Sequence, residues 1–200
     1  MKLFLQGPVQ IGKSTILRNA LLPYENMVAG FAVQRLFENG AMCGFRSCAL
    51  NGTIPPVDGE YSAGLEGIFL YHGQYFPGIL EKSVSVALDT CKKEHCKIIL
   101  LDEIGGLELR SSTFMKPLQK ILALGKPCVG VLKSHDNLAG TADRFKLPIN
   151  ILALRDKLQK QLEADGRVFT MTHENRQEAE HTVMRFVEGK LNTFGTTPCN

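Results

Sequence analysis

The chain has 200 residues, of which 44% are hydrophobic and 22% are charged, a balance typical of one globular domain. Its formal net charge is only +3, so the composition predicts no broad basic surface and argues against a nucleic-acid partner. No apolar run approaches the roughly 20 residues of a membrane span, and Met1 and Lys2 lead straight into a predicted strand, which leaves no room for a signal peptide. We therefore expect a cytoplasmic protein with no membrane partner, and no pattern in the sequence predicts its oligomeric state.

Strand and helix patterns alternate along the chain and predict an α/β fold, with a mostly parallel sheet flanked by helices. The predicted strands cover residues 2–6, 30–37, 41–50, 67–71, 97–101, 127–132, 149–152 and 167–171. Helices are predicted over residues 13–22, 78–95 and 111–124, and after each of the last two strands, ending near residue 189. The pair Asn39–Gly40 favours a type I′ turn, so residues 30–57 would form a hairpin insertion. We expect one domain over residues 1–190 and a frayed tail over residues 191–200.

The six cysteines form no C-x-x-C pair and match no common zinc spacing. Cys91, His95 and Cys96 come nearest to a metal cluster. They fall where a predicted helix ends before a buried strand, so reduced thiols in a cytosolic protein are the simpler interpretation.

An eight-residue segment near the start of the chain fits the pattern G-x-x-x-x-G-K-[ST]; it consists of Gly7, Pro8, Val9, Gln10, Ile11, Gly12, Lys13 and Ser14. It lies between a predicted strand and a predicted helix, which is the context in which this P-loop pattern binds nucleotide phosphates. Its glycines let backbone N–H groups point at a phosphate, and the helix adds its positive N-terminal end. Lys13 would reach the β- and γ-phosphates, Ser14 would offer a hydroxyl to Mg²⁺, and Thr15 would complete the nucleotide-binding residues.

Two acidic residues, Asp102 and Glu103, follow the continuous apolar run of residues 97–101. Such a run is typical of a strand buried on both faces of a parallel sheet, and ligands gather at the carboxyl ends of these strands. A P-loop needs an acid that holds Mg²⁺ through water, and Asp102 stands where that acid is expected. Glu103 beside it would align and deprotonate a water for in-line attack on the γ-phosphate.

The segment Asp102-Glu103-Ile104-Gly105-Gly106-Leu107-Glu108-Leu109 resembles the D-E-I-G-K-M-E-L segment of the small nucleoside-triphosphatase family, which includes thermophilic enzymes and the cancer-related nucleoside-triphosphatase. Further segments resemble the family's hairpin and its late T-x-E-N-R motif, and they are Gly30-Phe31, Glu38-Asn39-Gly40, Gly44-Phe45 and Thr172-His173-Glu174-Asn175-Arg176. All of them occur in the family's order and span most of the chain. The chain is thereby identified as a divergent member of this family.

This resemblance implies a P-loop NTPase fold and Mg²⁺-dependent hydrolysis of nucleoside triphosphates to diphosphate and phosphate, slow and with broad base choice. It assigns phosphate binding to the P-loop, the Mg²⁺-linked acid to Asp102, and the catalytic carboxylate to Glu103. Asn175 and Arg176 fall where the family lines its nucleotide pocket.

Several positions depart from the family pattern. Gly106 stands where the family has lysine, and Leu107 stands where it has methionine. A cation at position 106 would neutralise charge that develops on the γ-phosphoryl group, so its loss bears on the rate of hydrolysis and not on binding. The V-G-x-Y segment before the middle helix is missing, and Gln34 and Arg35 replace usual acidic and basic positions.

Two other functions remain open on the sequence, a small-molecule or nucleotide kinase and a regulatory nucleotide-binding module with little hydrolysis. A kinase needs an acceptor pocket and usually an arginine-rich lid, and the arginines of this chain are scattered in sequence. Candidates for the missing cation are Lys133 with its neighbours Ser134 and His135, or Arg144. Alternation of Phe31, Phe37 and Phe45 predicts packing against the sheet. The pair Asp102 and Gly105 also fits a GTPase D-x-x-G pattern, but the chain has no N-K-x-D.

Overall fold

The computed structural model describes residues 1–146, 148 and 150–192. Nine strands among these residues form one mixed sheet: β1 (Lys2–Gln6), β2 (Val28–Glu38), β3 (Ala41–Asn51), β4 (Asp58–Glu60), β5 (Ile68–Tyr71), β6 (Gln74–Tyr75), β7 (Ile98–Ile104), β8 (Cys128–Leu132) and β9 (Gly166–Thr170). The α-helices of the same residues are α1 (Lys13–Leu21), α2 (Pro77–Lys92), α3 (Ser112–Leu122), α4 (His135–Arg144), α5 (Asn150–Glu163) and α6 (Arg176–Leu191). Short 3₁₀ segments cover Leu22–Met27 and Leu107–Arg110.

The strand order is β6-β5-β3-β2-β7-β8-β1-β9, and β4 pairs with β2 outside this path. Strands β2, β7, β8, β1 and β9 run parallel, whereas β3, β5 and β6 extend the sheet by antiparallel pairing. The turn between β2 and β3 has positive φ at Asn39 (51°) and Gly40 (77°), as the predicted turn requires. The antiparallel part reaches Tyr75, beyond the hairpin expected over residues 30–57. The predicted α/β fold class is confirmed.

Alternate residues of β7 belong to two hydrophobic cores, one on each face of the sheet. Ile99 and Leu101 pack in the core that contains side chains of α2, α3, α4 and α5. Ile98 and Leu100 pack in the core that contains side chains of α1 and α6. All four side chains are fully buried, as the apolar run predicted. Because both faces of β7 are fixed, its carboxyl end holds Asp102 and Glu103 in a defined position.

The strand predicted over residues 149–152 is wrong, because residues 150–152 lie in the first turn of α5. The buried positions of this helix are Ile151, Arg155, Leu158 and Leu162, which recur with the helical spacing of three to four residues. A short apolar run has no period of its own, so it does not distinguish a strand from the start of a helix. Ile149 lies outside the described residues.

In the predicted tail, Leu191 is the last residue of α6, and residues 193–200 lie outside the described part of the chain. No described helix is long and apolar enough to cross a membrane. Cys91 and Cys96 are buried next to one another, and among the described residues no group of three His, Cys, Asp or Glu side chains is placed to hold a metal ion.

Candidate active site

The predicted phosphate loop connects β1 to α1, and its glycines have the conformation that such a loop needs. Gly7 has φ 141° and Gly12, at the N-cap of α1, has φ 97°. A Cβ atom at Gly7 would lie 2.3 Å from the carbonyl oxygen of Met171, and one at Gly12 would lie 2.5 Å from Nη1 of Arg176. Gly7 therefore excludes a side chain by its backbone angle and by the backbone of Met171, whereas Gly12 does so by its backbone angle, since the Arg176 side chain can move.

Lys13 is buried, and its ammonium group lies inside the loop. Its Nζ donates to the carbonyl oxygens of Gly7 at 3.1 Å and Pro8 at 2.5 Å. Burial lowers the pKa of Lys13, and the nearby carboxylates of Glu103 and Asp102 oppose that shift. The Gly7 carbonyl also accepts a hydrogen bond from Nδ2 of Asn137 at 3.1 Å, which ties α4 to the loop. Asn137 belongs to no motif, so sequence reasoning missed it.

Asp102 lies at the carboxyl end of β7 with only 1% of its surface exposed. Its Oδ1 accepts a hydrogen bond of 2.8 Å from the hydroxyl of Ser14, so the two residues assigned to the metal are in contact. Its Oδ2 lies 3.3 Å from Nη2 of Arg18, a guanidinium that donates to the carbonyl of Val33 at 2.7 Å. Sequence reasoning missed Arg18, which follows Ser14 by one helical turn on α1.

The same carboxylate fits an Mg²⁺ site. Within the described residues Oδ2 of Asp102 is buried and accepts no hydrogen bond, although it is ion-paired with Arg18. A buried carboxylate oxygen that accepts no hydrogen bond, beside a hydroxyl, is the kind of ligand set that a hydrated Mg²⁺ takes at a P-loop. Burial raises the pKa of Asp102 to about 6, and Arg18 and the Ser14 hydrogen bond oppose that shift.

This shift predicts how pH changes the stability of the metal-free protein. In the unfolded chain the Asp102 carboxyl loses its proton near pH 3.8, whereas in the folded protein its pKa of about 6 keeps it protonated to higher pH. Deprotonation therefore favours the unfolded chain as pH rises from 4 to 6. Two pKa units correspond to about 3 kcal/mol, and we expect this loss of stability in the wild type but not in Asp102→Asn. Urea unfolding in EDTA at several pH values measures it, and parallel profiles for the two proteins would contradict it.

Glu103 and Lys133 face each other at the ends of neighbouring strands. Nζ of Lys133 lies 3.5 Å from Oε1 of Glu103, whose side chain is 37% exposed. Lys133 follows β8, the strand that separates the P-loop strand β1 from β7. Among Lys133, Ser134 and His135, the residues proposed near the missing cation, Lys133 is the one that lines the cavity beside the phosphate loop. Ser134 instead caps α4 by accepting a hydrogen bond from the backbone N–H of Asn137.

Gly106 lies in a turn that the carboxylate of Glu108 closes. The backbone N–H groups of Gly105 and Gly106 each donate to Oε1 of Glu108 at 2.7 Å. A Cβ atom at Gly106 would lie 2.8 Å from the other carboxylate oxygen of Glu108. Burial raises the pKa of this carboxyl group. The buried carboxylate of Glu108 thus holds the turn that follows Glu103.

Asn175 and Arg176 lie on the β9 side of the phosphate loop. The side chain of Asn175 accepts from the N–H of Thr172 and donates to the carbonyl of Thr170, so it shapes the turn before α6. Arg176 is exposed and donates to the carbonyl of Ile11 at 2.8 Å. The structure therefore brings Arg176 into contact with the phosphate loop, whereas Asn175 binds its own turn.

A cavity of about 730 Å³ opens beside the phosphate loop. The phosphate loop, Asp102, Glu103 and Lys133 form one end. One face of α4 forms a side wall, with Asn137 near the loop and Arg144 at the far end of the helix. Apolar side chains from β2, β3, β5 and β6 form the other end, and Phe45 is one of them, whereas Phe31 is buried in the core as predicted. A second depression, of about 520 Å³, lies at the amino ends of β1 and β9 and includes Lys2 and Phe186.

The fold and the site define a P-loop enzyme of the nucleotide-hydrolysing class, with a phosphate loop after β1 and an acidic pair at the end of β7. The chain belongs to the NTPase family, whose sequence model matches residues 2–184.

Comparisons with individual proteins agree with this family. The chain is 28% identical over 187 residues to the cancer-related nucleoside-triphosphatase homolog of Mus musculus, covering 86% of this chain and 89% of that protein. It is 27% identical over 203 residues to nucleoside-triphosphatase THEP1 of Saccharolobus solfataricus, covering 96% of this chain and 95% of that protein. The solution structure of a human cancer-related nucleoside triphosphatase superposes with a TM-score of 0.61 and 22% identity over 94% of this chain and 97% of that one. The predicted family and fold are confirmed.

Proposed function

We propose that this protein hydrolyses nucleoside 5′-triphosphates to diphosphate and phosphate in a reaction that requires Mg²⁺, proceeds slowly and accepts several bases. The observation that carries the proposal is the contact of Ser14 with Asp102 beside Lys13, because these three groups have the positions that a triphosphate with its metal needs. Membership of the NTPase family supports hydrolysis of nucleoside triphosphates in general. We place this activity in the cytoplasm, as the sequence predicts.

Each residue at the loop has a defined role in this proposal. Lys13 and the loop N–H groups bind the β- and γ-phosphates. The hydroxyl of Ser14, and Asp102 through water, hold Mg²⁺, which when bound neutralises phosphate charge. Glu103 orients a water and takes its proton as the water oxygen attacks the γ-phosphorus, while the bond to the bridging oxygen breaks and its electrons leave with the diphosphate.

The surroundings of the base support broad base choice. Asn175 uses both its amide oxygen and its amide nitrogen on the neighbouring backbone, so neither is free to read a base edge. Arg176 is exposed beside the loop and offers a planar guanidinium, which stacks on any base. Contacts of this kind stabilise a nucleotide without distinguishing adenine from guanine.

Two features support a slow rate. Gly106 carries no cation, and Lys133 is the residue that stands nearest to Glu103 as a substitute. Lys133 pairs with Glu103, so its positive charge is shared between that carboxylate and the γ-phosphate. This sharing weakens its electrostatic stabilisation of either group. This arrangement is less effective than an arginine finger dedicated to the transition state.

Lys133→Met is therefore expected to lower the single-turnover rate by roughly 10- to 100-fold, less than the loss of a dedicated donor. The ATP dissociation constant should change by less than about threefold, because the phosphate loop is intact. Lys116→Met, which removes an exposed lysine of α3, is the matched control. An unchanged rate in Lys133→Met would remove this residue from the reaction.

Single-turnover assays with ATP, GTP, CTP and UTP test the proposal as a whole. Phosphate release should occur with all four nucleotides, should fall to background in EDTA and should return when Mg²⁺ is added. The product nucleotide should be the diphosphate. Tight binding of ATP without phosphate release over hours would instead favour the regulatory module, and would refute the proposed activity.

A further inference from the structure

The strand order fixes which way a bound triphosphate would run. Arg176 touches the phosphate loop from the β9 side of β1, whereas Asp102 and Glu103 lie at the end of β7, on the other side of β1 beyond β8. The γ-phosphate of a P-loop nucleotide points to the acidic pair, and the base lies at the opposite end. If the proposed function holds, the γ-phosphoryl group therefore faces the part of the cavity that lies beyond β7.

That part is an apolar chamber, defined here by Val33, Met42, Phe45, Phe69 and Tyr75. The rings of Phe45 and Phe69 stack with centroids 6.2 Å apart, and Tyr75 meets Phe69 edge-on at 6.5 Å. All three rings are half-buried, and Met42 at the rim is 52% exposed. The chamber thus offers aromatic faces to a ligand and is open at its rim.

Hydrolysis alone does not account for this chamber. Attack by a water needs no apolar walls, yet the chamber adds five apolar side chains to a cavity of about 730 Å³ whose other end, at the phosphate loop, would hold the triphosphate. Phe69 and Tyr75 already pack against the core, and an apolar ligand that covered the exposed parts of the chamber walls would gain further free energy. The chamber is continuous with Glu103 and Lys133, so a ligand in it would lie next to the γ-phosphate.

We propose that the apolar chamber binds an aromatic primary alcohol and that the protein transfers the γ-phosphoryl group of the nucleotide to its hydroxyl. The alcohol oxygen forms the new bond to the γ-phosphorus, and its proton passes to the carboxylate of Glu103. The bond from the γ-phosphorus to the bridging oxygen breaks, and its electrons leave with the nucleoside diphosphate. The acceptor is taken to be an uncharged alcohol because the five side chains that define the chamber carry no charge.

The experiment uses the full chain with γ-³²P-labelled ATP, Mg²⁺ and either benzyl alcohol, 2-phenylethanol or 3-phenylpropanol. The expected result is a labelled phosphate monoester that increases saturably with alcohol concentration, while labelled inorganic phosphate decreases. Inorganic phosphate without any ester, and with no effect of the three alcohols on its release, would overturn this inference and leave the proposed hydrolysis standing. Absence of both products would refute the proposed hydrolysis as well.

Two variants test the chamber itself. Phe69→Ala removes an aromatic wall, and Met42→Glu puts a carboxylate at the exposed rim, where it does not disturb folding. Both are expected to lower the ratio of ester to inorganic phosphate at least tenfold. Phe186→Ala, at a half-buried phenylalanine in the depression at the opposite edge of the sheet, should keep the wild-type ratio. A tenfold rise of the ATP dissociation constant in Phe69→Ala would show that the chamber holds the base, and would overturn the inference.

Discussion

Replacing Lys13 with alanine is expected to abolish Mg²⁺-dependent turnover, with a loss of about 10³-fold or more, and to weaken ATP binding at the same time. The ammonium group is the cation that lies inside the loop, bonded to the carbonyls of Gly7 and Pro8. Without it the β- and γ-phosphates would meet two bare carbonyl oxygens, which repel them. Isothermal calorimetry measures the binding, and single-turnover phosphate release measures the rate.

Lys2→Ala is the matched control for this variant. Lys2 is 8% exposed and Lys13 is 7% exposed, so both substitutions remove a buried lysine. Lys2 pairs with Asp165 at the amino end of the sheet, far from the phosphate loop. We expect Lys2→Ala to lower the thermal midpoint and to retain ATP binding. Equal loss of ATP binding in the two variants would mean that misfolding, and not the missing ammonium, causes the effect.

Glu103→Gln is expected to separate binding from chemistry. The amide is nearly isosteric with the carboxylate, so ATP affinity should stay within about threefold, whereas the rate should fall by about 10²- to 10⁴-fold because the amide cannot take a proton. Burst measurements of bound and released phosphate resolve the two steps. Glu66→Gln, at an exposed position outside the cavity, controls for the loss of a negative charge. Undiminished phosphate release from Glu103→Gln would remove Glu103 as the base.

The location of the candidate site was predictable where its residues are contiguous in sequence. The segment from Gly7 to Ser14 must form a tight loop wherever it occurs between a strand and a helix, so its sequence alone carries the geometry. Asp102 and Glu103 were placed by the apolar run before them, because a strand buried on both faces presents its end at the ligand edge. The family pattern then connected the two segments.

The residues that sequence reasoning missed depend on contacts between distant elements. Arg18 and Asn137 are single polar residues on helices. Arg18 gains its role by pairing with Asp102, and Asn137 by its hydrogen bond to the carbonyl of Gly7. Phe45 alternates as a packed strand residue does, but its ring faces a cavity that strands β2, β3, β5 and β6 build together. No local period encodes such a cavity. The prediction at the start of α5 failed for the converse reason, since the three apolar residues among positions 149–152 fit either period.

The two hydrogen bonds of Lys13 make nucleotide binding an exchange reaction. The ammonium must leave the carbonyls of Gly7 and Pro8 before it can bind phosphate oxygens, so the net gain is the difference between two charge-assisted sets of bonds. Asn137 keeps its bond to the Gly7 carbonyl when the ammonium leaves, so that this buried oxygen is not left without a donor. Through Asn137, helix α4 in the side wall of the cavity thereby lowers the free-energy cost of this exchange.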